Sequence, residues 1–186
     1  MDSKLELCDG SVLLRPYRIS DINDLYEAVR ESIAEISLWT DWCHQRYSIK
    51  ESRTFIKTRS KACKKGISYD FAITDATDGY YLGGCGLNRI ELHYGMANLG
   101  YWVRTSRVKM GFATAATRLL AQFGFKELGL KRIEIVTDVN NMASQRVAEK
   151  SGATREGILR NRLFVRERAC DAVMFSLIPG DLKFSG

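Results

Sequence analysis

The sequence predicts an α/β fold (α+β in some schemes): one domain over residues 1–186, with a mixed central sheet of about six to seven strands and flanking helices. Three observations carry this expectation. The elements follow the order strand, two helices, three strands and then helix-linked crossovers, which implies a mixed sheet rather than an all-parallel one. The only two prolines, Pro16 and Pro179, sit near the ends and leave the middle free for long regular elements. With 45% hydrophobic and 27% charged residues in 186, the chain is ordinary globular material, long enough to bury a core. That composition excludes disordered, collagen-like and coiled-coil classes.

Val12-Leu-Leu-Arg-Pro reads as the opening strand. Ser20 is placed to cap a helix carrying Ile22, Leu25, Ala28 and Val29 at helical spacing. Residues 48–65 predict a second helix whose basic end (Lys61, Lys64, Lys65) suits the helix dipole. Three strands are expected over residues 67–74, 80–89 and 99–104. Asp75-Ala-Thr-Asp-Gly forms the turn after the first. Gly83, Gly84 and Gly86 in the second mark a bulge or a close backbone approach. A helix over residues 111–128 places Ala115, Ala116, Leu119, Leu120 and Phe123 on one face, and Gly129 closes it as a left-handed cap. Residues 132–137 read as a strand, 141–150 as a helix stopped by Ser151-Gly152, and 153–178 as two final strands.

Several functions are excluded early. The longest stretch without Asp, Glu, Lys or Arg is residues 92–103, and 12 residues are too few to span a bilayer. Met1-Asp-Ser-Lys-Leu-Glu has no apolar core, so no signal peptide is expected there. The five cysteines are odd in number and scattered, without CxxC or Cys/His spacing, so neither a disulfide framework nor a metal site is expected. A reducing cytoplasm is the natural setting. The net charge of +6 suits anionic partners: nucleic acid, a ribosome or a phosphate-bearing cofactor.

Two segments carry chemistry. In Gly100-Tyr-Trp-Val-Arg-Thr-Ser-Arg-Val-Lys-Met-Gly-Phe-Ala-Thr a strand runs through a basic loop into a helix that opens at Gly111. Free amides there, with the helix dipole, make an anion site suited to a pyrophosphate, and small Ala113 permits close approach. The segment is neither a Walker loop nor a dinucleotide fingerprint, and a tight strand–helix turn would need the same glycine. In Asn141-Met-Ala-Ser-Gln-Arg-Val-Ala-Glu-Lys-Ser-Gly, Asn141 is an N-cap candidate and Ser144 sits in the first turn, where its hydroxyl can reach a ligand.

Together these segments resemble the GNAT N-acetyltransferase superfamily, specifically its RimJ/RimL-type protein N-terminal acetyltransferases. Leu13-Leu-Arg-Pro resembles the branch's opening strand, and Leu38-Trp-Thr-Asp-Trp its Trp-rich acceptor segment. Gly100-Tyr-Trp-Val is similar to the strand that splays to admit pantetheine, Met110-Gly-Phe-Ala-Thr to the cofactor loop. Phe125-Lys-Glu-Leu-Gly-Leu-Lys-Arg-Ile-Glu is like the passage that follows, and Asn141-Met-Ala-Ser with Glu149-Lys-Ser-Gly completes the pattern. Three departures stand out. Val108 occupies a place usually held by Arg or Gln, Asn98 replaces an acid, and Leu163 falls near where some members carry another acid.

The resemblance implies direct acetyl transfer from acetyl-CoA to an amine, without a metal. It assigns cofactor contacts to Trp102, Val103, Arg107, Lys109, Met110, Gly111, Phe112, Ala113, Thr114, Asn141 and Ser144. Backbone donors in residues 100–103 would hold the oxyanion, and Ser144 would hydrogen-bond or protonate the leaving thiolate. An α-amine, with a pKa of about 7.7–8.0, demands a weaker base than a lysine. A water relayed by Asn98, Glu91 or His93 would then serve. Trp39, Asp41 and Trp42 are expected to shape the acceptor pocket, with Asp41 on the amine, although both tryptophans are equally compatible with packing. Arg160, Arg162, Arg166 and Arg168 alternate at strand spacing and face solvent, an acidic protein or RNA. The acceptor implied is a protein N-terminus, ribosomal in this branch. The alternatives are a small amine (polyamine, amino sugar or amino acid), or a GNAT-fold protein without catalysis that binds RNA or a ribosome. Ribosome association, and a monomer or homodimer, fit the first reading.

Overall fold

The computed structural model describes residues 5–182. Residues 1–4, the first four of the six in which no signal peptide is expected, lie outside it. Its elements run β1 (Leu7–Cys8), β2 (Val12–Pro16), α1 (Ile22–Glu31), α2 (Ile33–Ile36), α3 (Ile49–Lys64), β3 (Tyr69–Asp75), β4 (Tyr81–Glu91) and β5 (Met96–Val103). Then come α4 (Phe112–Glu127), β6 (Arg132–Asp138), α5 (Met142–Lys150), β7 (Thr154–Val165) and β8 (Arg168–Leu177). Eight strands form one sheet in the order β1-β2-β3-β4-β5-β6-β8-β7. The pair β5–β6 is parallel and the rest are antiparallel. The mixed α/β architecture is the expected one, and the strand beyond the expected six to seven is the two-residue β1, too short to leave a periodic signal.

Local chemistry explains where boundaries moved. Ser20 does not cap α1. It lies in a 3-10 turn (Ile19–Asp21), where the Asp21 carboxylate accepts from the Arg18 amide at 2.7 Å and from both Arg15 Nη atoms at 2.8 and 2.9 Å. The helix therefore starts after Asp21. At the start of helix α3 the Glu51 carboxylate accepts from the Ser48 amide and hydroxyl at 2.8 and 2.9 Å, while the Glu51 amide donates to the Ser48 carbonyl. The helix ends through Gly66 (φ 67°) and a bond from the Ile67 amide to the Ala62 carbonyl, so β3 starts at Tyr69 and not at residue 67. Strand β5 reaches back to Met96 because residues 92–95 form the turn after β4. The arginine alternation does not survive folding. Register breaks between Leu159 and Leu163 around Asn161 (φ 51°), and Arg166 belongs to the β7–β8 turn (φ 50°).

Helices cover both faces of the sheet. On one, α4 buries Ala116, Leu120, Ala121, Phe123 and Phe125 against Leu14, Phe71, Ile73, Leu87 and Leu99. On the other, α1 and α3 close over Ala72 and Tyr81 with Leu25, Val29 and Ile56. Period-two alternation divides the central strands accordingly, so Phe71 and Leu99 face α4 while Asp70, Ala72, Gly84, Gly86, Gly100 and Trp102 belong to the opposite side.

Candidate active site

The parallel pairing of β5 with β6 lasts three residues, from Met96 opposite Arg132 to Asn98 opposite Glu134. Beyond it β5 stays with β4 as far as Val103, while β6 follows β8 to Asp138. The sheet thus divides, and residues 100–103 carry no strand on one edge. Across the gap, the Tyr101 hydroxyl donates to the Ser144 carbonyl at 2.8 Å and lies 3.1 Å from Ser144 Oγ. Burial pushes the Tyr101 phenol up to about 12, against the bond to Ser144, so it serves as a hydrogen-bonding group and not as an acid at neutral pH. Asn141 caps α5 by accepting from the Ser144 amide at 3.1 Å, which turns Ser144 toward the gap.

Below the opening, β5 leads into the loop before α4. Lys109 (φ 65°) and Gly111 (φ 89°) are left-handed, and Met110 between them is not. Such alternation turns successive amides to one concave side. Among the described residues, no acceptor meets the backbone N–H groups of Lys109, Met110, Gly111, Phe112, Ala113 or Thr114. At the start of a 16-residue helix these are donors for an anion. Val108 and Met110 are exposed beside them.

The loop's first residues are held from behind. Glu31 accepts from Arg104 Nε at 2.9 Å and from the Ser106 amide at 2.7 Å, Ser32 Oγ accepts from the Thr105 amide at 3.0 Å, and Glu35 binds the Thr105 hydroxyl at 2.9 Å. Burial works against the Glu31 charge, but Arg104 and Ser106 bring its carboxyl down to about 2. The Arg104 and Arg107 guanidinium groups both stack on the Tyr80 ring, at 4.7 and 5.0 Å.

On the α1/α3 side of the same strands lies a cavity of about 820 Å³. Its floor is nearly bare backbone, with Gly84, Gly86 and Gly100 among the lining residues. Gly86 stands opposite both Asp70 on β3 and Gly100 on β5. A Cβ on Gly86 would come within 2.6 Å of Asp70 Oδ1, whereas one on Gly100 would meet nothing within 4 Å. Aromatic walls close one side: Trp42 packs on Trp102 (5.8 Å between ring centroids) and on Tyr47 (6.3 Å). Arg59 and Ser68 bind Asp70 Oδ2 at 3.0 and 2.6 Å, and His44 pairs with Glu51 at 2.8 Å.

The residues singled out in sequence are distributed unevenly around this site. Trp102, Val103, Arg107, Lys109, Met110, Gly111, Phe112, Ala113 and Thr114 lie along β5, its loop and the start of α4, with Asn141 and Ser144 across the gap. Asn98 stands where the strands part and donates to Asn88, a lining residue, at 3.1 Å. Trp42 and Asp41 line the cavity, but Asp41 Oδ1 accepts the Arg166 amide at 2.8 Å, which ties it to the β7–β8 turn. Trp39 is outside the lining. Glu91 and His93 are exposed at the turn end of β4, also outside it. Asp70, Arg59, Glu31 and His44 carry no motif. Only the helical amphipathicity of the 48–65 segment and the alternation of β3 point to the cavity residues.

Comparison with known proteins gives this geometry its class. The acetyltransferase (GNAT) domain family matches residues 11–154. The chain belongs to the GNAT acetyltransferase family and is an N-acetyltransferase. It is 29% identical over 175 residues to the N-acetyltransferase p20 of Bacillus licheniformis, itself uncharacterized, covering 94% of this chain and 90% of that one. A Vibrio cholerae protein assigned as a ribosomal-protein-serine acetyltransferase superposes with a TM-score of 0.84 at 28% identity, over 96% of this chain and all of that one. The same fold recurs in RimL, the ribosomal L7/L12 alpha-N-protein acetyltransferase, in complex with coenzyme A (TM-score 0.85, 22% identity, 94% and 98% coverage). Among the described residues, no helix is long and apolar enough to cross a membrane.

Proposed function

We propose that the chain, acting as one domain over residues 1–186 in the cytoplasm, transfers acetyl from acetyl-CoA directly to a primary amine, the N-terminal α-amine of a ribosomal protein. The observation that carries the reading is the three-residue limit of the β5–β6 pairing above six amides without an acceptor among the described residues. A thioester arm laid in the gap would meet the free edge of residues 100–103, and its pyrophosphate the amides of Lys109 through Thr114. RimL, of the same fold, binds coenzyme A. The residues fit the co-substrate: the Ser144 hydroxyl borders the gap where the thiolate would leave, and Arg107 and Lys109 add positive charge to the loop.

The reaction then needs little from side chains. The acceptor enters from the cavity on the α1/α3 side, attacks the thioester carbonyl at β5, and the oxyanion is met by backbone donors. The α-amine as acceptor is supported by the names of the relatives and by its modest demand for a base, since about a tenth of it is already neutral at neutral pH. The test is thiol release from acetyl-CoA over N-terminal peptides, polyamines and amino sugars. Turnover on peptides beginning with Ser or Ala is expected. Turnover on small amines alone moves the acceptor assignment, and turnover on none, without acetyl-CoA binding, overturns the reading.

A further inference from the structure

Three carboxylates line the cavity, Asp41, Glu51 and Asp70, and Glu51 is taken up by His44 and the Ser48 amide at 2.8 Å each. Asp70 is mostly buried, with 16% of its side chain exposed. Its two oxygens are used differently. Oδ2 is held by Ser68 at 2.6 Å and by Arg59 at 3.0 Å. Arg59 is itself fixed by the Phe55 carbonyl at 3.2 Å and by stacking over the Phe55 ring at 4.4 Å. Oδ1 receives no hydrogen bond from any described residue. It hangs over Gly86, where a Cβ would sit 2.6 Å away, and Gly86 is the direct neighbour of Gly100, above which space is open. The row Asp70–Gly86–Gly100 therefore carries a free carboxylate oxygen across a side-chain-less strand toward the edge at which the sheet divides.

We propose that Asp70 Oδ1 binds the attacking nitrogen of the acceptor, which makes Asp70 a catalytic residue and gives the site its selectivity for a primary amine. The inference rests on the acetyl-transfer reading above. As the C–N bond forms, the nitrogen passes from neutral to positive, and a fixed carboxylate in hydrogen-bond reach stabilises that growing charge more than it stabilises the free amine. The C–S bond then breaks, the sulfur takes a proton, and the nitrogen releases one to solvent. Gly86 is required because any side chain there would displace Oδ1. Asp41 is less suited to this role, because it is exposed and already tied to Arg166.

The experiment compares two ligands in the presence of coenzyme A, which cannot transfer acetyl. One is a Ser-initiated tetrapeptide and the other its des-amino analogue. Wild type should bind the amino peptide about ten- to hundredfold tighter, as expected for a hydrogen bond to a charged group. Asp70→Asn should bring the two affinities together while leaving the des-amino peptide and acetyl-CoA unaffected. Gly86→Ala should do the same without removing the charge, which guards against a folding defect specific to Asp70→Asn. In turnover, both variants should lose about ten- to hundredfold in kcat/KM for the amine. A preference retained in both variants, or a loss equal for both peptides, overturns the role of Asp70 while wild-type turnover leaves the acetyl-transfer reading standing. Wild-type enzyme inactive on every amine overturns both.

Discussion

Single atoms decide much at this site. Ser144 Oγ lies 3.1 Å from the Tyr101 hydroxyl, whose own proton is directed at the Ser144 carbonyl, so the serine proton has the tyrosine oxygen as its resting partner. Ser144→Ala should lower kcat by about tenfold, the worth of one hydrogen bond at the transition state, a larger effect than its change in the acetyl-CoA thermal shift. Gly100 gives a sharper separation of folding from function. A Cβ there meets nothing within 4 Å, so Gly100→Ala should keep the wild-type Tm. It would nevertheless stand in the reaction cleft, and more than tenfold loss of thiol release is expected, about 1.4 kcal/mol or more of barrier. The opposite pattern is expected at Asp21, 2% exposed and bonded to both Arg15 Nη atoms. Asp21→Ala strands a buried guanidinium and should cost about 3–5 kcal/mol in denaturant unfolding.

At the scale of elements, the loop before α4 has two halves with different jobs. Its first half is clamped through Glu31, Ser32 and Glu35 on α1 and α2 and the turn between them, and its second half presents unpartnered amides. A binding loop with few internal bonds would otherwise be ordered only by its ligand, at an entropic cost to affinity. Glu31→Gln removes the charge that holds Arg104 and the Ser106 amide. Acetyl-CoA affinity should fall several-fold, with a smaller change in Tm, when the two are read in the same thermal-shift titration. The β7–β8 hairpin anchors the other rim, where the Arg166 amide meets Asp41 and its guanidinium meets Ser37 at 2.8 Å. The arginines read as one alternating face thus include a structural one.

For the whole molecule, pH acts in two separate ranges with the same sense, stability and activity both rising with pH. Two carboxyls are held at about 2 in the folded chain, against an ordinary value near 4.5. At Glu156 the causes are the Arg132 guanidinium, at 2.6 Å through Nη1, and the Ser176 hydroxyl, partly offset by burial. At Glu31 burial is outweighed by Arg104 and Ser106. A depressed folded pKa means that the unfolded chain takes up protons first as pH falls. The stabilisation is therefore complete above pH 4.5 and is lost between about 4.5 and 2, a decline that Tm measured across that range should follow. Activity responds at the other end. With an α-amine acceptor, kcat/KM should rise with pH and level off beyond about 8, where the amine is already neutral.

The order of elements, the glycine turn before α4 and the cap of α5 were readable because each depends on neighbours in sequence. Gly111 needs a positive φ at one point of a strand–helix turn, and Asn141 caps an amide three residues away. Side-chain periodicity likewise placed the faces of α1 and α4 before any contact was known. The acceptor site belongs to another category. Asp70, Gly86 and Gly100 form a row only because three strands pair in that register, and a slip of one residue would turn Asp70 to the opposite face. The clamp of Glu31 on Ser106 spans 75 positions and Asp41 meets Arg166 across 125, so no local pattern encodes either. What the sequence by itself determined is therefore the class of protein and the left-handed turn at Gly111 that opens α4, since both follow from local residue types. Which carboxylate faces the amine was decided only by the tertiary structure, because strand register and long-range hydrogen bonds choose among acids that look alike along the chain.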